Sequence, residues 1–341
     1  MVPVIPLSIL DLAPIVEGGS AAQALHNTLD LARHADTWGY RRYWVAEHHN
    51  MDGVASSATA VLVGHIAGGT PRIRVGAGGI MLPNHAPLVV AEQFGTLATL
   101  YPGRIDLGLG RAPGTDRHTA QALRRHLHAG DEQGFPNDVL ELQGYLSEAG
   151  AKQAVRAIPG AGTQVPIWLL GSSLYGAQLA AHLGLPYAFA SHFAPDMLLQ
   201  ALALYRSGYR PSPAWPKPYA MVGVNVIVAE TDAEAASLFT SIQQRFLGMQ
   251  RGQRGPLPRP ISPAHMNLLW SPQERAAVQG MLAASAVGSP ESVRAQLQAI
   301  VDQTAADELI VAGAMHDHSA RLRSYERLAG VGATLQSAAP A

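Results

Sequence analysis

The sequence predicts an α/β protein folded as a closed (β/α)8 barrel, a TIM barrel. Three observations point there. Eight short apolar runs alternate with segments of helical spacing. The runs are uninterrupted rather than alternating, as strands of a parallel sheet covered on its outer face are. Eight βα units argue for closure rather than for an open doubly wound sheet. The 341 residues carry no internal repeat and no linker, so 1–341 read as a single barrel domain.

The elements follow in order. Residues 4–9 form the first apolar run, and after a polar turn Ser20 caps a helix over 21–37, where Leu25, Leu29 and Ala32 share a face. Strand 42–46 precedes a small-residue helix at 56–67; strand 73–79 precedes helix 89–100; strand 104–110 comes fourth. A longer, more polar insertion follows, with helices expected at 116–128 and 138–150. Strand 166–170 leads into helix 175–183, strand 187–190 into helix 195–207, and strand 221–228 into helix 233–247. The stretch 248–263, GMQRGQRGPLPRPISP, has no apolar period and reads as a mobile loop. Helices at 272–284 and 290–304, a last strand at 308–312 and a last helix at 319–328 complete the chain.

Composition excludes several classes of function. With 24 basic against 25 acidic residues and no basic tail, non-specific nucleic-acid binding is disfavoured. Cysteine is absent, which removes disulfides and thiolate metal sites and is compatible with a reducing, cytoplasmic setting. The apolar N-terminus lacks a basic leader and is broken by Asp11 and Pro14, so it does not read as a signal peptide. The longest charge-free stretch, 157–195, contains Pro159, Pro166 and Pro186 and cannot span a membrane. The 14 histidines are scattered without ligand spacing, so no metal is expected.

In a (β/α)8 barrel, functional groups follow the strand C-termini. The second strand is followed by Glu47, His48, His49 and Asn50, a run that either supplies a base near neutral pH or ties neighbouring loops together. The third ends in Gly76, Gly78 and Gly79, which either let a flat ligand approach the backbone or turn the barrel wall. The fourth gives Gly108, Gly110, Arg111, Pro113 and Gly114. This is not the dinucleotide fingerprint, but Arg111 suits a phosphate unless it pairs with Asp106 or Asp116. The fifth gives Gly171, Ser172 and Ser173 ahead of Tyr175 and Gly176, where a helix start either binds an anion or is merely capped. His192 follows the sixth strand; His316 and His318 follow the last; His65 and His182 lie within helices.

The segments AEHHN (46–50), GGIMLPNHAPLVVAEQFGTLATLYPGRIDLGLGRAPG (78–114) and LLGSSLYGAQLAAHLGLPYAFASHFAP (169–195) together resemble the bacterial luciferase-like monooxygenases, in their non-luminous single-chain branch. The resemblance implies a barrel that binds FMN at the strand ends, with the phosphate on Arg111, Ser172 and Ser173 beside Tyr175, Gly171 and Gly176. It places the flavin ring on Gly78 and Gly79, over a non-proline cis peptide. His48 matches the family's reactive histidine, and Glu47 a structural or flavin-contacting carboxylate. Trp44, Met81, Trp168 and Phe193 are wall or core residues. The implied activity is oxygenation of a small organic substrate by reduced FMN and oxygen through a flavin peroxide. A separate reductase would supply the reduced FMN, a homodimer is expected, and 248–263 stands where luciferase has its lid. Gly110 replaces a luciferase cysteine, and Gly176 stands where relatives often carry a hydroxyl residue. A deazaflavin (F420)-dependent oxidoreductase and a non-catalytic flavin-binding protein are the alternatives.

Overall fold

The computed structural model describes residues 3–112, 114–123 and 134–338. Among these, nine parallel strands form one sheet: β1 (Leu7–Asp11), β2 (Arg42–Val45), β3 (Arg74–Met81), β4 (Ile105–Gly110), β5 (Ile167–Gly171), β6 (Tyr187–Phe189), β7 (Ala220–Val228), β8 (Ser285–Gly288) and β9 (Glu308–Ala312). Strands β1 to β7 pair in chain order, β7 pairs with β9, and β9 returns to β1. Eight strands thus close the expected barrel. The ninth, β8, is an addition: Asn225 pairs with Ala312 on one edge and with Ser285 on the other. β8 therefore continues the edge of β7 that β6 occupies lower down, at residues 220–222.

Helices α1 (Ala21–Trp38), α2 (Thr59–Gly69), α3 (Pro87–Leu100), α4 (Arg117–Leu123), α5 (Phe135–Leu146), α6 (Leu174–Leu183), α7 (Leu198–Ser207), α8 (Asp232–Gln250), α9 (Pro263–Leu269), α10 (Pro272–Met281), α11 (Pro290–Thr304) and α12 (His318–Gly332) alternate with the strands. Ser20 caps α1 as its sequence implies, accepting from Gln23 N–H, and Gly39 ends the helix at φ 84°, in the left-handed region. No described helix is long and apolar enough to cross a membrane.

Several expectations are corrected. The first strand begins at Leu7, because Val4 instead bridges Gln336. The helix expected at 272–284 stops at Met281 so that residues 285–288 can pair with β7. The loop expected at 248–263 is shorter: residues 248–250 complete α8, and Pro263 opens α9, capped by Ser262 accepting from His265 N–H. The helix expected at 138–150 starts at Phe135 and ends at Leu146, followed by a 3-10 turn, Glu148–Lys152. Of the helix expected at 116–128, α4 reaches Leu123; residues 124–128, like Pro113, lie outside the described residues.

The barrel interior is layered. At the N-terminal end Arg42 is buried between two carboxylates, donating to Asp106 through Nη1 (2.7 Å) and to Glu308 through Nε (2.7 Å). Arg74 and Trp44 Nε1 complete the shell of Asp106, and Tyr219 and Ser8 that of Glu308. Above this network Trp44 and Trp168 meet edge to face at 5.2 Å, both fully buried. Glycines make room for them: a Cβ on Gly78 would come within 3.0 Å of the Trp44 ring. Both tryptophans are therefore core, not walls of an open pocket. Asp11, at the end of β1, holds Arg321 of α12 (2.7 Å), Thr28 of α1 (2.8 Å) and the Tyr43 hydroxyl, fastening the outer helices to the barrel.

Candidate functional site

The C-terminal end of the barrel gathers the residues singled out in the sequence. Glu47 lies directly after β2 and is 1% exposed. Its Oε1 accepts from His49 Nε2 (2.8 Å), His85 Nε2 (2.9 Å) and Asn84 Nδ2 (3.4 Å), and its Oε2 from Met81 N–H (3.1 Å). Burial pushes the carboxyl group upward, but the bonds from His85, His49 and Met81 outweigh it, so its pKa lies below the ordinary glutamate value. The side chain is spent on fastening the end of β2 to the end of β3. Asn50 extends the tether, donating to Thr119 Oγ1 (3.1 Å), while Thr115 Oγ1 donates to His49 O (3.0 Å). The loops after β2, β3 and β4 are thereby one unit.

His48 faces elsewhere. Its backbone N–H bonds Ser56 O (3.0 Å), while its ring Nδ1 is buried with no partner among the described residues. Burial, followed by the nearby Arg245 guanidinium, lowers its pKa to about 4, so the imidazole is neutral at pH 7. His192, after β6, is its counterpart: Nδ1 is likewise orphaned, and burial, followed by His48, lowers it to about 4. The ring of His192 packs on Gly223 of β7, where an added Cβ would lie 2.5 Å from Nδ1, and Asn225 Nδ2 donates to its carbonyl. Phe193 beside it is 42% exposed.

The peptide between Gly78 and Gly79 is cis. On the neighbouring strand, a Cβ on Gly110 would meet Met81 Sδ at 2.7 Å, so any side chain there must displace Met81. Arg111 pairs with neither Asp106 nor Asp116. Asp106 is taken by Arg42 and Arg74, and Asp116 by Thr119 and Asn50. Instead its guanidinium lies 4.2 Å over the ring of Tyr175, in the first turn of α6. Ser173 is the N-cap of α6, yet its hydroxyl accepts no capping bond, and the first-turn N–H groups have no side-chain partner among the described residues. Gly171 and Gly176 face each other across this turn, with a Cβ on Gly171 3.8 Å from the Gly176 Cα. Arg111, Ser173, Tyr175 and Gly176 are thus brought together, with Ser172 partly buried beside them.

The other histidines singled out in the sequence are elsewhere. His318 Nε2 bonds Asp30 (2.8 Å) and His316 Nε2 meets Glu17 O (3.0 Å), both away from a shared centre. His65 and His182 are exposed on their helices. No group of metal-ligating side chains occurs among the described residues. The sequence reading missed Arg245. Its signal was an arginine four residues after Ser241 and next to Phe246, both buried on α8, though Arg245 itself is only half-buried.

The profile of the luciferase-like monooxygenase family matches residues 5–308. A luciferase-like monooxygenase of Escherichia coli strain K12 is 58% identical over 322 residues, 94% of this chain and 95% of that protein. The crystal structure of apo-MsnO8 superposes with a TM-score of 0.90 at 38% identity, covering 98% of this chain and 99% of that one. Two more distant structures share the fold alone. One is the oxygenating constituent of 3,6-diketocamphane monooxygenase of Pseudomonas putida in complex with FMN (16%, TM-score 0.74, covering 98% and 99%). The other is an F420-dependent secondary alcohol dehydrogenase (13%, TM-score 0.70, covering 97% and 99%). With its barrel, its family match and a relative this similar along nearly its whole length, the chain belongs to the luciferase-like monooxygenase family of oxidoreductases.

Proposed function

We propose that the chain is an FMN-dependent monooxygenase that uses reduced flavin and molecular oxygen to oxygenate a small organic substrate. One observation carries the choice of flavin: Arg111, with no carboxylate partner among the described residues, lies over Tyr175 at the N-terminus of α6. A permanent cation, two serine hydroxyls and free helix N–H groups are the donor set a terminal phosphate requires. In this reading Arg111, Ser172 and Ser173 hold the phosphate, with Gly171 and Gly176 allowing close approach. The Gly78–Gly79 end of β3 presents backbone without side chains to a flat ring. When bound, the reduced flavin supplies the redox and oxygen chemistry. His48, neutral and with Nδ1 unengaged, takes and returns a proton at that atom. Glu47 positions rather than contacts, through its tether between β2 and β3. Residues 251–262 cover the mouth and exclude water. A separate reductase delivers reduced FMN, and the working unit is a homodimer.

The test is an anaerobic titration with FMN, reduced FMN and reduced F420, followed by an oxygen pulse. Reduced FMN is expected to bind in preference, and Arg111→Ala to weaken it about tenfold to a hundredfold, the worth of charge-assisted phosphate contacts. Preference for F420 replaces the monooxygenase reading with a hydride-transfer one. Bound reduced FMN that consumes no oxygen replaces it with a carrier.

A further inference from the structure

The centre of a (β/α)8 barrel is ordinarily filled by layers of branched aliphatic side chains. Here it holds a column of indoles ending on a phenol. Trp44 of β2 meets Trp168 of β5 edge to face, with ring centroids 5.2 Å apart. Trp168 in turn meets Trp215 at 5.7 Å and Tyr219 at 5.6 Å, and those two rings meet each other at 5.7 Å. Three of the five tryptophans of the chain are thus in one continuous contact rather than scattered. The upper end lies under Gly78, where an added Cβ would stand 3.0 Å from the Trp44 ring. Trp44 and Trp168 are fully buried, whereas Trp215 and Tyr219, in the connection from α7 to β7, are partly exposed at the N-terminal end of the barrel. The column therefore runs from beneath the mouth to the opposite face.

Packing alone does not account for these rings. A buried indole ordinarily finds a partner for its N–H. Trp168 Nε1 is buried and has none among the described residues. An indole is kept there although a phenylalanine would leave no donor unpaired. What indoles and phenols share, and aliphatic side chains lack, is ready loss of one electron. The groups around the column suit that loss. Trp44 Nε1 donates to Asp106 (3.2 Å), and the Tyr219 hydroxyl donates to Glu308 (2.8 Å). Arg42 lies 4.7 Å over the Trp168 ring, but it is held between Asp106 and Glu308, which answer its charge. At the exposed end, Glu308 is placed to take the proton that a tyrosine releases when it is oxidised.

We propose that Trp44, Trp168 and Tyr219, with Trp215 beside them, carry oxidising equivalents away from the ring site to the opposite face of the barrel. The inference rests on the flavin reading for its upper end, where the Gly78–Gly79 backbone meets the ring. An oxygen-centred radical formed there takes one electron from Trp44 and is reduced to its anion. Trp44 is refilled from Trp168, and Trp168 from Tyr219, directly or through Trp215. Tyr219 gives its hydroxyl proton to Glu308 as it gives up the electron, so the hole comes to rest as a neutral tyrosyl radical. A small thiol or ascorbate supplies one electron at this partly exposed end, and Glu308 returns the proton to the phenolic oxygen. One electron enters the column for each that leaves, and every side chain ends as it began. Oxidising equivalents that miss the substrate are thereby drained from a mouth that carries an oxidisable thioether, Met81, at the end of β3.

The experiment has two arms, each on the whole chain as wild type, Trp168→Phe, Trp215→Phe and Tyr219→Phe. In the first, azide radicals made by pulse radiolysis oxidise tryptophans of the flavin-free protein, and transient absorption follows indolyl radicals becoming phenoxyl radicals. The main phase is expected at a rate independent of protein concentration. It is lost in Tyr219→Phe, slowed by an order of magnitude in Trp215→Phe, and kept in Trp168→Phe, because Trp215 touches Tyr219 directly. In the second arm, oxidised FMN is bound anaerobically and excited by a laser flash, so that the light-excited flavin takes the electron from Trp44. The wild type is expected to show a tyrosyl radical by electron paramagnetic resonance, and Tyr219→Phe a tryptophanyl one. In Trp168→Phe no tyrosyl radical forms, and the separated charges recombine an order of magnitude faster. The proposal is overturned if Tyr219→Phe leaves the phenoxyl phase unchanged, or if Trp168→Phe leaves the flash-generated tyrosyl radical unchanged. Trp168→Phe opens a void in the core; should it not fold, Trp215→Phe and Tyr219→Phe, at the partly exposed end, still decide. Failure of the flavin reading shows separately: the flash then yields no protein radical in any variant, while the radiolytic step at Tyr219 persists.

Discussion

Replacing Glu47 with glutamine tests the claim that this carboxylate fastens the mouth. The side chain is 1% exposed, and its two oxygens receive only donors, from His49, His85, Asn84 and Met81. An amide converts one of those oxygens into a donor, and in either orientation a donor then faces a donor. One buried unsatisfied group costs about 1–3 kcal/mol, and the remaining bonds lose their charge assistance, giving about 2–4 kcal/mol in all. At about 2.1 cal/mol/K per residue the unfolding entropy of a chain this long is roughly 0.7 kcal/mol/K, so Tm should fall by about 3–6 °C. The pH dependence has a definite sign. The Glu47 pKa is lowered in the folded chain, so its contribution is complete above the unfolded carboxyl value, near 4.5, and is lost as pH falls through the folded value. Glutamine carries none of it. Circular-dichroism melts from pH 8 downward should therefore show a constant gap that narrows below pH 4.5. A shift of less than 1 °C at pH 7, or a gap that widens on acidification, refutes the argument.

Two other outcomes are expected. Burial, with Arg245 and His48 as the next causes, holds His48 and His192 near 4, so the unfolded chain takes up protons first as pH falls below 6.5. Stability should fall between pH 6.5 and 4, by up to about 1.4 kcal/mol per pH unit for each ring, and His48→Gln/His192→Gln should flatten the slope in urea titrations; an unchanged slope contradicts the assignment. Arg42→Met leaves Asp106 and Glu308 without the cation between them and should cost about 3–5 kcal/mol, while FMN affinity at 20 °C stays within about twofold because the network lies at the opposite end of the barrel. Loss of FMN binding from a variant still folded at that temperature contradicts this separation.

The barrel was legible because its strands are short, nearly uninterrupted apolar runs, the pattern of a parallel sheet covered on its outer face; the outward charge on Asp11 falls only at the very end of β1. β8 was not legible. SAVG is four residues of mostly small side chains lying directly between two helices, and it is a strand only because β7 extends past the end of β6. α9 was hidden in a run of prolines, where Ser262 and Pro263 are a helix start rather than a turn. At the site, Arg111 and the α6 turn were readable because position after a strand carries the information. The competing roles of Glu47 were not separable, since nothing local shows that His85, 38 residues on, returns to the same oxygen. Arg245 required knowing which face of α8 is buried. Trp44 and Trp168 were ambiguous because the space that makes them core is provided by glycines on other strands.

The extra strand separates two tasks within one chain. Closure of the barrel runs through β1–β7 and β9, and β8 takes no part in it. The segment from α8 to β8 leaves the wall at the top of β7 and returns to the top of β7, so it is an excursion with both ends at one place. Insertions, deletions and recombination inside it leave the eight-strand ring and its register untouched. Within the excursion, Leu257 is the point where residues 251–262 are fastened to the β1 loop. A lineage can rewrite the residues around that fastening freely, and diversify what the mouth accepts, on a scaffold that does not change.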